Sequence, residues 1–382
     1  MLRAAPRSEI RGTYDERPHA STDPQRKRRR GARVSMAGVR IMCTLGPASL
    51  NPVVVRELDA RRVDLLRINL SHTRIEDVRA AIDLIRACSD VPISLDTEGA
   101  QVRCGSVVPG LILETGSMID LLPTPVQGDA HRISLRPRSI FETLEPNATM
   151  TIDFQGATLR VIGLRGNGAR AVVERGGRVE SNRAVTIAPA PSLPPLTRKD
   201  VAAIELGRRL GIGHYALSFA ASKEDVASVR ELIPSDAHLI SKIESRAGVL
   251  NMDEIIVGSD AVLIDRGDLS REIPLEEVPY YQKVIVRRAN RWQKPVYVAT
   301  NLLESMVING RPTVAEANDI ANTLLDGAHG LVLAAETAIG VDPVGAVDMV
   351  LRCILAFERT NFRAFPEGSP AAPPPEMSAS VA

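Results

Sequence analysis

Aromatic side chains are scarce. Phe, Trp and Tyr make up 3% of the 382 residues, with a single Trp, so any core must be built from Leu, Ile, Val and Ala. Cysteine is nearly as rare. Cys43, Cys88, Cys104 and Cys353 stand too far apart for a disulfide framework or for the paired close spacing of a zinc site. They read as thiols in a reducing compartment, which points to the cytoplasm. Net charge is almost absent: 47 basic against 46 acidic residues leave +1, so no overall field draws the chain to nucleic acid or to an anionic membrane. No apolar run reaches the roughly 18 residues of a membrane span, and no apolar stretch opens the chain as a secretion signal would.

What is present is a pattern. Residues 1–36 are polar, with the run Arg26, Lys27, Arg28, Arg29, Arg30 and no periodic apolar face. Composition predicts a disordered segment there. It reads either as an arm for nucleic acid or an acidic partner or, with Met36 just before the first strand, as an over-extended start. Residues 361–382, rich in Pro, Ala and Ser, read as a disordered tail. Between them eight short β-branched or Leu-rich runs alternate with segments of helical period. The runs are Val39 to Leu45, Asp64 to Leu70, Pro92 to Thr97, His214 to Phe219, His238 to Glu244, Ala261 to Gly267, Pro295 to Thr300 and Gly330 to Thr337. Amphipathic segments such as Ile75 to Cys88, Arg198 to Leu210, Glu277 to Arg291 and Val314 to Leu325 follow them.

This alternation predicts an α/β fold, a TIM (β/α)8 barrel, over residues 37–104 and 193–360. Residues 105–192 break the rhythm. Thr149 to Phe154, Thr158 to Leu164, Ala169 to Glu174 and Ala184 to Ile187 alternate as short strands with Gly and Asn turns, which predicts a small all-β domain inserted after strand three. Pro189, Pro191, Pro194 and Pro195 then form a stiff return to the barrel.

Barrel enzymes collect their chemistry at the carboxyl ends of the strands. Here those ends carry Arg67, Asn69, Ser71 and His72; Asp96 and Thr97; Lys242 and Glu244; Arg266, Gly267 and Asp268; Thr300; and Glu336. Lys242 and Glu244 are two apart, so both side chains face the barrel interior. They read either as a self-satisfying ion pair or, with Asp268 on the next strand, as part of a Mg2+ site. In the second case Glu244 and Asp268 give oxygen ligands and Lys242 is a cation aimed at phosphate. Gly267 and Asp268 form either an ordinary turn or a turn whose N–H groups receive a carboxylate or phosphate. Asn69, Ser71, Asp96 and Thr97 are either a cation site of hard oxygens or a hydrogen-bonded network beneath Arg67.

Eight stretches in order then resemble the signature blocks of the pyruvate kinase family. They are Ile41–Ser49 (IMCTLGPAS), Leu66–His72 (LRINLSH), Leu95–Gly105 (LDTEGAQVRCG), Leu193–Asp200 (LPPLTRKD), Ser241–Val249 (SKIESRAGV), Ile264–Leu269 (IDRGDL), Ala299–Met306 (ATNLLESM) and Arg311–Asp319 (RPTVAEAND). That family has a barrel interrupted after strand three by a β-rich lid. The resemblance implies that Lys242, Arg67 and Thr300 are catalytic, and that Gly267 and Asp268 join those three in binding phosphoenolpyruvate. It implies ADP contacts at Pro47, Asn69, His72 and Arg103, Mg2+ on Glu244 and Asp268, and a K+ site at Asn69, Ser71, Asp96 and Thr97.

Departures from the family pattern are local. Glu98 stands in place of a lysine and Gln101 in place of a glutamate, which leaves dependence on K+ open. Asp265 replaces a small residue beside the carboxylate cradle and adds a negative charge there, which Arg266 is positioned in sequence to neutralise. An arginine is absent from Ser218, Phe219, Ala220, Ala221, Ser222. In the lid, Asp153 and Gly156 survive around Phe154 and Gln155, and Arg183 to Ala188 replaces the family's return strand. The family's C-terminal domain, which builds a tetramer and carries effector sites, has no counterpart after Phe357, so neither is expected. The resulting expectation is transfer of phosphoryl from phosphoenolpyruvate to ADP, giving pyruvate and ATP, with Mg2+. Two alternatives stand beside it: a Mg2+-dependent pyruvate-enolate enzyme with a different acceptor, and an inactive metabolite-binding paralogue.

Overall fold

The computed structural model describes residues 38–99, 101–153, 156–191 and 193–360. The basic N-terminal run, the Pro/Ala-rich tail, Phe154 and Gln155 lie outside the described residues. Eight parallel strands, β1 (Arg40–Leu45), β2 (Leu65–Asn69), β3 (Ile93–Asp96), β4 (His214–Leu217), β5 (His238–Ile243), β6 (Ala261–Asp265), β7 (Val296–Ala299) and β8 (Gly330–Leu333), close in the order β1-β8-β7-β6-β5-β4-β3-β2. This is the expected barrel. Apart from Arg40 and the rims at Asn69, His214 and His238, its strands are buried along their length, because one face packs on helices and the other fills the lumen.

Strand alternation separates those two faces. Ile41, Leu66, Ile68, Leu95, Leu239 and Leu331 point outward into the layer beneath the helices. Met42, Leu65, Ala216, Ile240, Leu263, Tyr297 and Val332 meet in the lumen as an apolar plug, aliphatic apart from the Tyr297 ring. Burying each large member stabilises the fold by about 1.5–3 kcal/mol. Two residues further along four of these strands the same inward face turns polar: Thr44 follows Met42, Arg67 follows Leu65, Lys242 follows Ile240 and Asp265 follows Leu263. The charged floor of the barrel mouth is thus seated on an apolar base.

Helix signals in the sequence are realised closely. Ile75–Cys88, Arg198–Arg209, Val278–Arg291 and Val314–Leu325 are helical, and Thr197 with Asp200 and Thr313 with Glu316 form reciprocal capping boxes. Gly207 lets one helix approach the sheet, since a Cβ there would lie 2.7 Å from Leu95 and 2.9 Å from the Tyr215 hydroxyl. Two expected strands stop early. β6 ends at Asp265 because Arg266–Leu269 is a short helix whose Asp268 N–H is capped by Asp265. β8 ends at Leu333, and Glu336 sits in the helix Ala335–Ala338 with its carboxylate accepting the N–H groups of Leu303 (3.1 Å) and Ala334 (2.8 Å).

Between β3 and β4 the chain forms a seven-stranded sheet in the order Val185–Ala188, Thr149–Ile152, Thr158–Arg165, Gly168–Arg175, Met118–Leu122, Arg132–Arg136, Arg103–Cys104. It has an apolar core of its own, including Ile119, Leu121, Met150, Leu159 and Val173. Three of these strands carry no expectation from sequence. Met118–Leu122 and Arg132–Arg136 are short and interleave polar residues, and Arg103–Cys104 is two residues long. Among the described residues no helix is long and apolar enough to cross a membrane.

Candidate active site

Lys242, the inward residue near the end of β5, is buried, and its Nζ lies 3.2 Å from Asp96 Oδ1 and 2.9 Å from Glu244 Oε1. Burial alone would discharge the ammonium, but Asp96 and Glu244 outweigh it and hold its pKa above the ordinary lysine range. Arg67 approaches from β2. Its Nε donates to Thr44 Oγ1 at 2.9 Å, while Nη1 makes no hydrogen bond and only a charge contact with Asp96 Oδ2 at 3.4 Å. An orphaned guanidinium N–H in a buried site is costly unless a ligand takes it.

Glu244 is fully buried, and burial, reinforced by Asp268, Asp265 and Asp96 against the opposing pull of Lys242, pushes its pKa up to about 8. Phe219 N–H donates to its Oε2 at 2.8 Å, from a backbone at φ 53°. Ligand oxygens of Glu244, Asp265 and Asp268 lie within 4.8 Å of one another. Asp268 is raised as well, by burial first and then by Asp265, and Arg271 pairs with it at 3.1 Å. An all-oxygen set of this kind suits a hard divalent cation such as Mg2+ or Mn2+.

Thr300 sits beside this group at φ 65°, a backbone region costly for a β-branched residue by about 1–3 kcal/mol. It is held there from both ends. Its carbonyl accepts from Arg266 Nη2 at 2.7 Å and Nε at 3.2 Å, and its hydroxyl accepts Gly267 N–H at 2.8 Å and lies 3.0 Å from Asp265 Oδ1. Arg266 also pairs with Asp319 at 2.7 Å. The expectation that Arg266 neutralises Asp265 is therefore corrected: its guanidinium is spent on the Thr300 carbonyl and on Asp319.

Asp96 and Thr97 are buried, with Thr97 Oγ1 accepting Ser218 N–H at 2.9 Å and Ser218 Oγ donating to Thr97 O at 2.6 Å. Asn69 uses its Oδ1 on Ser71 N–H at 2.8 Å. Of the four, Asn69 and Ser71 line the mouth cavity, while Asp96 faces Lys242 and Arg67 beneath it. A cavity of about 410 Å³ opens above, between barrel and β-insert, lined by Arg67, Asn69, His72, Arg103, Lys242 and Asp268 among others. Its volume is that of a small-molecule site. Burial, then Arg103 and Lys199, lower the His72 pKa, so the imidazole is neutral at pH 7. Pro47 lies on the exposed loop after β1 and does not line this cavity.

Several contributors escape a sequence reading. Ser218 and the Phe219 backbone act through hydrogen bonds set by loop shape, Arg271 through a helix turn, and Asp319 from 53 residues beyond Arg266. Asp200 fixes the loop after β3 by accepting Glu98 N–H at 2.7 Å and Gly99 N–H at 3.2 Å, while the Glu98 carboxylate stands 3.9 Å from Lys199. Periodicity carries no signal for such contacts. The insert brings Arg183 to the cavity wall, where it pairs with Asp153 at 3.4 Å and with Glu180.

The pyruvate kinase barrel-domain model matches residues 36–347. A pyruvate kinase of Sporosarcina psychrophila is 37% identical over 339 residues, covering 85% of this chain and 57% of that protein. One from Methylorubrum extorquens is 38% identical over 332 residues (84% and 68%), and one from Mycobacterium tuberculosis 34% over 346 residues (88% and 71%). The chain thus spans between about half and three quarters of the length of these relatives. With the closed barrel, the interrupting β-sheet and the charged mouth all on hand, the matches leave one assignment: the chain belongs to the pyruvate kinase family, through its barrel domain.

Proposed function

We propose that this chain transfers phosphoryl between phosphoenolpyruvate and ADP, forming pyruvate and ATP, with a divalent cation held by Glu244 and Asp268. The observation that carries the reading is the pair of buried cations in the mouth, Lys242 and the underused Arg67 Nη1. Phosphoryl transfer asks for dispersed positive charge around the equatorial oxygens and for in-line positioning. Lys242 and Arg67 supply the charge, on a buried floor.

In this reading the P–O bond to the enol oxygen breaks as a bond to the terminal ADP oxygen forms. The enolate carbon then takes a proton relayed by the Thr300 hydroxyl. Mg2+, when bound, polarises phosphoryl oxygens and neutralises charge as it develops. Asp268 and Gly267 border the substrate, Asn69, His72 and Arg103 border the nucleotide in the cavity, and Pro47 meets it only outside the cavity, from the loop after β1. K+ at Asn69, Ser71, Asp96 and Thr97 belongs to the same reading and is tested by replacing K+ with Na+. A second reading keeps the enolate chemistry with a different acceptor. It is favoured by the ion pairing of Arg183 with Asp153 and Glu180, which engages lid charges with one another.

The test is pyruvate formation from phosphoenolpyruvate with Mg2+ and K+, with and without ADP. ADP-dependent turnover that falls at least about a hundredfold in Lys242→Met is expected. Turnover surviving in that variant removes Lys242 from its role. Binding of phosphoenolpyruvate without turnover on any nucleotide favours the second reading, and no ligand effect at all favours a non-catalytic paralogue.

A further inference from the structure

The turn after β6 directs its backbone N–H groups as an anion site would, yet their acceptors belong to the chain itself. Gly267 N–H goes to Thr300 Oγ1 at 2.8 Å, Asp268 N–H goes to Asp265 Oδ1 at 3.3 Å, and the Thr300 hydroxyl lies 3.0 Å from the same Oδ1. A protein carboxylate thus occupies donors that a ligand carboxylate would otherwise use.

Its charge is met only at a distance, by Lys242, and no cation touches it. Asp265 is 6% exposed and, among the described residues, it makes no ion pair and no hydrogen bond reaches its Oδ2. Arg266, its neighbour in sequence, is committed to Thr300 and Asp319. A buried carboxylate that no cation contacts is costly to keep ionised. What stands nearby is more negative charge, since Glu244 and Asp268 bring ligand oxygens to within 4.8 Å. Within the whole cluster four carboxylates (Asp96, Glu244, Asp265, Asp268) face three pairing cations (Arg67, Lys242, Arg271). The deficit is concentrated on Asp265.

We infer that Asp265 is a third carboxylate ligand of the divalent-cation site, standing in for the oxygen a substrate carboxylate would bring, so that the cation loads onto the protein before any substrate. This rests on the reading of Glu244 and Asp268 as cation ligands. It also bears on specificity. Three carboxylates over-neutralise a divalent ion, so an incoming anion gains little from the metal and depends on Lys242 and Arg67 for its counter-charge.

The experiment is titration of the substrate-free chain with Mn2+, followed by the paramagnetic signal of the free ion, in the parent, Asp265→Asn, Asp265→Ala and Glu244→Gln. Asparagine keeps the acceptor for Asp268 N–H and removes only the charge, so it separates ligation from capping; alanine supplies the check if asparagine misfolds. Expected is a loss of Mn2+ affinity of about tenfold or more in both Asp265 variants, since even outer-shell changes cost 10–100-fold. Added pyruvate should then strengthen Mn2+ binding in Asp265→Ala and leave the parent unchanged. Parent affinity in the Asp265 variants together with lost affinity in Glu244→Gln overturns the third ligand and leaves the two-ligand site standing. Parent affinity in all variants overturns the cation site itself, and the proposed function with it.

Discussion

The two ends of the barrel lumen are both lined with polar side chains, yet they treat charge in opposite ways. At the amino ends of the strands, acids are spent on the backbone and paired. Asp64 accepts Ile41 N–H at 2.8 Å, and Asp260 accepts Leu239 N–H at 2.7 Å while pairing with Arg230 at 2.6 Å. Arg40 donates to the Tyr297 hydroxyl at 3.1 Å, and the rings of His214 and His238 stack at 5.5 Å. At the carboxyl ends, acids outnumber their partners, an arginine N–H is left over, and Phe219, Thr300 and Asn301 hold positive φ. An apolar plug lies between the two. Positive φ occurs at both ends, at Arg62 and Gln293 as well, so the contrast lies in charge: one end closes the barrel, and the other leaves charge for a ligand to meet.

The comparison is broken most forcefully by moving one group from the working end. Arg67→Met removes the guanidinium while leaving Asp96 its contact with Lys242, so turnover should fall at least about a hundredfold, with the melting temperature within a few degrees of the parent. A collapse of stability instead would mean Arg67 serves the barrel first. The converse change is Asp260→Ala. It strips a partner from Arg230 and from the Leu239 N–H, and should cost about 1–3 kcal/mol in denaturant unfolding, with kcat unchanged. A smaller effect of opposite sign is expected from Asp265→Asn. Without divalent cation it removes surplus charge and should stabilise by about 1 kcal/mol; saturating Mn2+ should erase or reverse that gain. Stabilisation that persists in Mn2+ would detach Asp265 from the cation.

Much of this contrast is legible in the sequence, and the residues show where legibility stops. Alternation within β2 and β5 puts Arg67, Lys242 and Glu244 on the inward face without reference to coordinates, because a strand leaves a side chain two faces to choose from. Helical periodicity locates Arg198 to Leu210 and Val314 to Leu325 for the same local reason. The strand ends expected at Gly267 and Thr337 are misplaced because apolar runs do not register a carboxylate that caps the following turn. Arg266 is misread because its partner, Asp319, is remote in sequence, and charge adjacency along a chain says little about which acid a flexible arginine reaches. The two-residue strand Arg103–Cys104 lies below the length at which periodicity carries information.

The smallest expected effect tests the quiet end of the lumen by acid. Burial lowers the pKa of His214 to about 4, with His238 and Arg40 adding to it. His238 is lowered too, by burial first, against Asp260 and with Arg40, Arg230 and Lys294. Both rings are thus neutral in the folded protein at pH 7, while in the unfolded chain they titrate near the ordinary value of about 6.5. Unfolded chains then bind more protons as acid is added, so stability is complete above about 6.5 and declines as the pH falls, the share due to His214 ending near its folded-state value of about 4. Melting temperatures at pH 7 and pH 5 should differ by a few degrees in the parent and by less in His214→Asn, which removes one titrating ring and the stacked contact with the other. An equal drop in both proteins would assign the acid sensitivity to the carboxylates, and the amino end would lose its standing as the neutral half of the barrel.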